Sequence, residues 1–207
     1  MSTTLAPPPV VEKAPSRPAP PIKKEPVMKD TIPLWLAVAI TVAISLPFGT
    51  YLGKYNFSLW ISFICWAEYF ALGAKPAALK IIFPAFAASS IWTGFMVWLI
   101  NPLGGLPKIF APGDLSVQVA FFIGVSIMVY CMKFFKTFQV GSLAYFNGMS
   151  MTLAVIFTGS TPKLDFITAH PQSATYIAAL WAIGMGWFGA ILGWLNVKLL
   201  FTREVHD

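Results

Sequence analysis

Glu68 is the side chain whose chemistry fits its surroundings least. It is preceded by Leu59-Trp-Ile-Ser-Phe-Ile-Cys-Trp-Ala67 and followed by Tyr69-Phe-Ala-Leu72, an apolar run with no other charge. An acid near the centre of a lipid-embedded helix costs a few kcal/mol, so it turns toward the protein interior or toward water. It then has two uses. It titrates a proton or attracts a cation beside a polar path, or it holds helices together through a hydrogen bond or through Lys75 or Lys80. A second group of polar residues lies further on, at Gln139, Ser142, Tyr145, Asn147, Ser150 and Thr152. Ser142, Tyr145 and Thr152 are spaced by three and seven residues and share one helical face. Asn147 sits mid-run beside Gly148. Such a face either lines a hydrated path or bonds to neighbouring helices. Glu68, Asn147, Ser142, Tyr145 and Thr152 are the candidate solute-pathway residues.

Other chemistry is missing from the sequence. The only histidines, His170 and His206, have no ligand cluster around them, and phosphate loops, nucleophile elbows and CxxC pairs do not occur. No catalytic residue, metal site or cofactor is expected, and the chain does not read as an enzyme. Cys65 and Cys131 lie inside apolar runs and read as small buried hydrophobes.

The elements that must position Glu68 follow from composition. The 207 residues are 57% hydrophobic and 11% charged, with a mean hydropathy of +0.71. Soluble domains carry about 25% charged residues, and a water-facing surface needs that charge. A bilayer does not, so the chain reads as an all-α membrane protein, and soluble enzymes, nucleic-acid binders and disulfide scaffolds are poor readings. Six apolar runs meet the roughly 17–25 residues of a transmembrane helix: 33–52, 56–74, 77–100, 116–135, 138–158 and 174–201. Pro33 suits the first helical position, and Ser116 and Ser173 suit N-caps of the fourth and sixth spans. Pro47 and Pro84 should kink or break the first and third.

Residues 1–30 differ from the six-helix domain at 31–207. They hold eight of the seventeen prolines and no aromatic residue, which predicts a disordered, proline-rich cytoplasmic tail. Pro18-Ala-Pro20-Pro21 faintly resembles a docking ligand, and no signal-peptide core is present. With that tail inside, the inner segments carry Lys13, Arg17, Lys23, Lys24, Lys29, Lys75, Lys80, Lys133, Lys136, Lys198 and Arg203. The outer segments carry Lys54, Lys108 and Lys163. This bias predicts both termini in the cytoplasm and accounts for the net charge of +6 without nucleic acid.

Six spans allow an inverted repeat of three helices plus three. Gly73-Ala-Lys-Pro76 after the second span parallels Gly159-Ser-Thr-Pro162 after the fifth. Ala87 and Trp92-Thr-Gly94 parallel Ala182 and Trp187-Phe-Gly189. Gly49 and Gly53 form one GxxxG spacing and Gly189 and Gly193 another, with Gly186 on the same stripe. Such residues let helices approach closely, within one subunit or across a homo-oligomer. Trp35, Trp60, Trp98 and Trp194 lie where an aromatic belt would place them. The segment 101–110 reads as a Gly/Pro turn or a lid folded on the membrane surface.

The stretch Leu59-Trp60-Ile-Ser-Phe63-Ile-Cys-Trp66-Ala67-Glu-Tyr69-Phe70-Ala71-Leu-Gly73-Ala-Lys75-Pro76, continuing through Leu79-Lys80 to Trp92-Thr-Gly94, resembles the bacterial family called domain of unknown function 1097. The resemblance spans residues 34–200 and is most specific in the second and third spans. It implies a small multi-helix inner-membrane protein and no particular activity. From the residues themselves, the expectation is an inner-membrane bundle that passes a small solute, passively or coupled to an ion, with the bilayer as its partner. The alternative is a non-transporting scaffold or accessory subunit.

Overall fold

Where charge is this scarce, backbone polar groups must be satisfied within the chain, and the apolar runs form helices. The computed structural model describes residues 27–107, 109, 114–200 and 203–205. Residues 1–26 of the proline-rich tail, His206, and Lys108 and Phe110 of the loop lie outside the described residues. Eight helices occur among the described residues: α1 (Leu34–Leu52), α2 (Leu59–Ala71), α3 (Pro76–Trp98), α4 (Asp114–Cys131), α5 (Lys136–Val140), α6 (Ser142–Phe157), α7 (Asp165–Ala169) and α8 (Ala174–Leu199). Four segments are long and apolar enough to cross a membrane: Leu34–Tyr55, Pro76–Trp98, Leu115–Phe134 and Pro171–Leu199.

The other two expected spans are shorter. The second is reduced to the 13 residues of α2, because Gly73 and Ala74 turn left-handed and stop the helix. The fifth is broken at Gly141 into α5 and the 16-residue α6. A Cβ on Gly141 would lie 2.5 Å from Cγ2 of Ile81 and 2.9 Å from the Thr137 carbonyl, so α3 presses on the backbone there. Both short helices end alike. After α2, the Leu72, Gly73 and Ala74 amides donate to the carbonyls of Glu68, Phe70 and Tyr69; after α6, Thr158, Gly159 and Ser160 donate to Ala154, Ile156 and Val155. These are Schellman-type ends, with Gly73 and Gly159 at positive φ, where a side chain would be strained.

Other local expectations change as well. Helices α1 and α3 continue through Pro47 and Pro84. Ser173 occupies the N-cap position of α8, but its hydroxyl donates backward to the His170 carbonyl. Ser116 lies inside α4 and donates to the Leu103 carbonyl.

Helix α8 is the centre of the bundle. It packs along α2 and α3, and α6 packs against both α3 and α8. Helices α1 and α4 are peripheral and keep large apolar side chains such as Trp35, Phe122 and Tyr130 exposed. Small residues set the central spacing. Gly189 abuts the Ser62 carbonyl, and Gly193 faces Trp66 and Tyr69 across the α2–α8 contact. A Cβ on Gly186 would lie 2.7 Å from the Phe86 ring and 3.1 Å from the Cys65 sulfur, and one on Gly148 of α6 would run into Ser89 and the Phe86 carbonyl of α3. Gly49 packs on Leu59, whereas Gly53 has open space around it. Two buried serine hydroxyls cross between helices: Ser62 donates to the Met185 carbonyl (2.8 Å) and Ser90 to the Gly148 carbonyl (3.2 Å).

The two ends of the domain meet. Strand β1 (Val27–Lys29) pairs antiparallel with β2 (Arg203–Val205), and the Thr31 and Ile32 amides donate to the Leu200 carbonyl. The start of α1 and the finish of α8 therefore share one face of the molecule.

The glycine contacts yield a matched pair of variants. Gly189→Ala puts a methyl group into the Ser62 backbone and should destabilise the protein by about 1–3 kcal/mol. Gly184→Ala, with nothing near its Cβ, should leave stability unchanged or raise it. Thermal unfolding in detergent micelles measures both.

Candidate functional site

The two short helices meet at the middle of the bundle. Ile61 of α2 and Val155 of α6, both fully buried, share one apolar cluster, and further along Glu68 meets Asn147. The two helices thus pass each other with opposed chain directions. At the polar end of the crossing, Nδ2 of Asn147 donates to Oε1 of Glu68 at 2.5 Å. Glu68 is 1% exposed, on the face of α2 turned away from any surface. The Cys65 thiol, one turn earlier, faces the same carboxylate. The bridge runs to Asn147 and not to Lys75 or Lys80, which lie exposed beyond the helix end.

One oxygen of the acid has no N–H or O–H donor within the chain. Oε2 of Glu68 is buried without a hydrogen bond, and so are Nε1 of Trp66 and the hydroxyl of Tyr69, on the same turn of α2. Asn196 of α8 donates to the Thr41 hydroxyl of α1 at 3.1 Å, while its own Oδ1 is likewise buried and unbonded. Buried polar atoms are nearly always bonded, to protein or to water, so each of these takes its partner from outside the chain or from a second arrangement of the helices. Among the described residues, no three His, Cys, Asp or Glu side chains gather, so Glu68 has too few such neighbours for a tetrahedral metal.

The remaining candidates turn inward without joining the acid. Tyr145, 4% exposed, stacks on Phe138 with centroids 4.7 Å apart and donates to the Met128 carbonyl of α4. Thr152, fully buried, bonds back to the Gly148 carbonyl of its own helix. Ser142 is half-buried at the start of α6. Of the five, only Glu68 and Asn147 are brought together. Ser62, Ser90 and Gly148 escape a reading of single segments, since each matters through its contact with another helix. The one available signal is that Gly148 sits beside Asn147 in a polar stretch.

Residues 32–199, which include all eight helices, match the family described as Protein of unknown function (DUF1097). No curated protein and no solved structure matches the chain.

Interhelical hydrogen bonds of this kind contribute about 0.6–2 kcal/mol. Asn147→Leu removes the donor to Glu68 and should lower thermal stability by that amount. Ser150→Ala, on the exposed side of the same helix, should leave it unchanged. Comparing the two melting temperatures in one detergent checks this.

Proposed function

We propose that this chain, which belongs to the DUF1097 family, is an integral protein of the bacterial inner membrane that carries a small solute, with Glu68 exchanging a proton or cation. The observation that carries this reading is the buried acid between two short central helices, one oxygen held by Asn147 and the other unbonded. A purely structural contact there would be built more cheaply from apolar side chains, since removing a carboxylate from water is costly. The sequence has no ATPase motif, and the transport proposed is passive or ion-coupled.

Six spans suit this role better than four. Helices α2 and α6 measure about 20 and 24 Å at 1.5 Å per residue, short of a hydrocarbon core about 30 Å thick. They are nonetheless the elements on which α8 and α3 pack, and α5 extends α6 across the Gly141 break. Short or interrupted helices at the centre are where carriers place their sites. The β1–β2 pairing brings both ends of the domain together, which four or six crossings satisfy equally and an odd number would not. The excess of Lys and Arg on inner segments assigns that end to the cytoplasm.

The contacts also support an inverted repeat. A shift taking Gly73 to Gly159 carries Ser62 to Gly148, and a shift taking Trp92 to Trp187 carries Ser90 to Met185. The two cross-helix serine bonds, Ser62 to Met185 and Ser90 to Gly148, then join the same pair of positions. The matching ends of α2 and α6 obey the first shift.

The test is uptake by purified protein in liposomes, screened with neutral amides, small acids, metal ions and protons. We expect flux for at least one class, reduced at least tenfold by Glu68→Gln in protein that still assembles. Flux untouched by both Glu68→Gln and Asn147→Leu would remove the site assignment. No flux, with stable binding to a partner protein, would favour the scaffold.

A further inference from the structure

Away from Glu68, at the end of the bundle opposite the paired strands, three open cavities form a chain by sharing walls. The first, about 440 Å³, is polar and lined by Asn56, Thr161, Lys163 and Asp165. Through Pro162 and Leu164 it adjoins a second of about 460 Å³, walled by Tyr55, Ile177, Leu180 and Trp181. Through Leu52 and Trp181 that one adjoins a third, also about 460 Å³, walled by Phe48, Phe57, Gly184 and Phe188. The result is one amphipathic groove between α1 and α8, with its charges at the mouth and only apolar walls below.

The mouth is firmly built. Asn56, in the left-handed region at φ 59°, donates from Nδ2 to the Thr161 carbonyl at 2.6 Å, and its own carbonyl accepts from Nε1 of Trp181 at 3.2 Å. Below it, the groove follows α8 from Ile177 to Phe188, about 16 Å at 1.5 Å per residue. That depth is one leaflet of a hydrocarbon core about 30 Å thick. Gly184 leaves space where any other residue would project a side chain, since nothing lies within 4 Å of its Cβ position. At the rim, Lys54 is within 4.9 Å of the Tyr51 and Tyr55 ring centroids.

We propose that this groove binds one glycerophospholipid bearing a primary amine, of the phosphatidylethanolamine type, from the leaflet away from the termini. The lipid phosphate faces Lys163, its ammonium faces Asp165, and one acyl chain runs down α8 past Gly184 to Phe188. The charge pattern selects this occupant. A purely anionic headgroup would meet Asp165, and a quaternary amine has no N–H to give it. The inference rests on the membrane reading above and is independent of Glu68.

The test uses the full chain in detergent, stripped of lipid, then offered equal amounts of phosphatidylethanolamine, phosphatidylcholine and phosphatidylglycerol and examined by native mass spectrometry. Phosphatidylethanolamine should be retained at least fivefold over the other two. Gly184→Leu, which fills the groove from a position with room for it, should cut that retention at least tenfold with an unchanged circular dichroism spectrum. Asp165→Asn should abolish the preference over phosphatidylcholine. Equal retention of the three lipids, a preference for phosphatidylglycerol, or retention unaffected by Gly184→Leu would overturn the proposal. Carbonate washing of membranes separates the two readings. A protein that stays in the membrane without selecting the lipid loses only the groove assignment, and one that washes off loses both.

Discussion

A carboxyl group withdrawn from water must find donors or a counter-charge, and Glu68 finds one donor on a residue 79 positions further along the chain. To make that bond, α2 and α6 must come within side-chain reach at the centre of the bundle. The required closeness is provided by missing side chains on the neighbouring helices. Gly189 lets α8 touch the α2 backbone at Ser62, and Gly148 lets α6 touch α3 at Phe86. Each contact is then fastened by one serine hydroxyl. Helices without a hydrophobic drive toward one another depend on such packing and on interhelical hydrogen bonds. The acid and the small residues are therefore one design constraint.

The proposed repeat makes the acid more informative. Under the shift relating α2 to α6, Glu68 corresponds to Ala154 and Asn147 to Ile61. The polar bridge thus occurs at one end of the α2–α6 crossing, and an apolar cluster holding Ile61 and Val155 occupies the other. A repeat needed only for stability gains nothing by placing a carboxylate on one side. Under the proposed function, the departure from symmetry marks the place for the cargo.

Both partners of the bridge could be picked out singly from the sequence, Glu68 as the one acid deep in an apolar run and Asn147 as a central amide. Their pairing could not, because it depends on how α2 and α6 register across the bundle. The stripe of Ser142, Tyr145 and Thr152 was legible as an inward face, since helical spacing alone fixes that. What those side chains bond to was not. Tyr145 reaches α4, and Thr152 satisfies its own helix. The break at Gly141 was hidden for the same reason. A glycine in an apolar run looks like packing until Ile81 of a distant helix is seen against it. The early stop of α2 is a local event, and Gly73 announced it, but an apolar run outweighs one glycine when spans are counted by length.

A carrier of the proposed kind exposes Glu68 to each face of the membrane in turn, and Cys65, fully buried and one turn from Glu68 on α2, reports on this directly. With Cys131 replaced by serine and the protein in liposomes, a charged, membrane-impermeant thiol reagent is added to one side or the other, and labelling of Cys65 is followed over minutes. Alternating access predicts labelling from each side. A Cys65 that stays unreactive from both sides, yet reacts once the protein is unfolded in dodecyl sulfate, would show that Glu68 only holds two helices together.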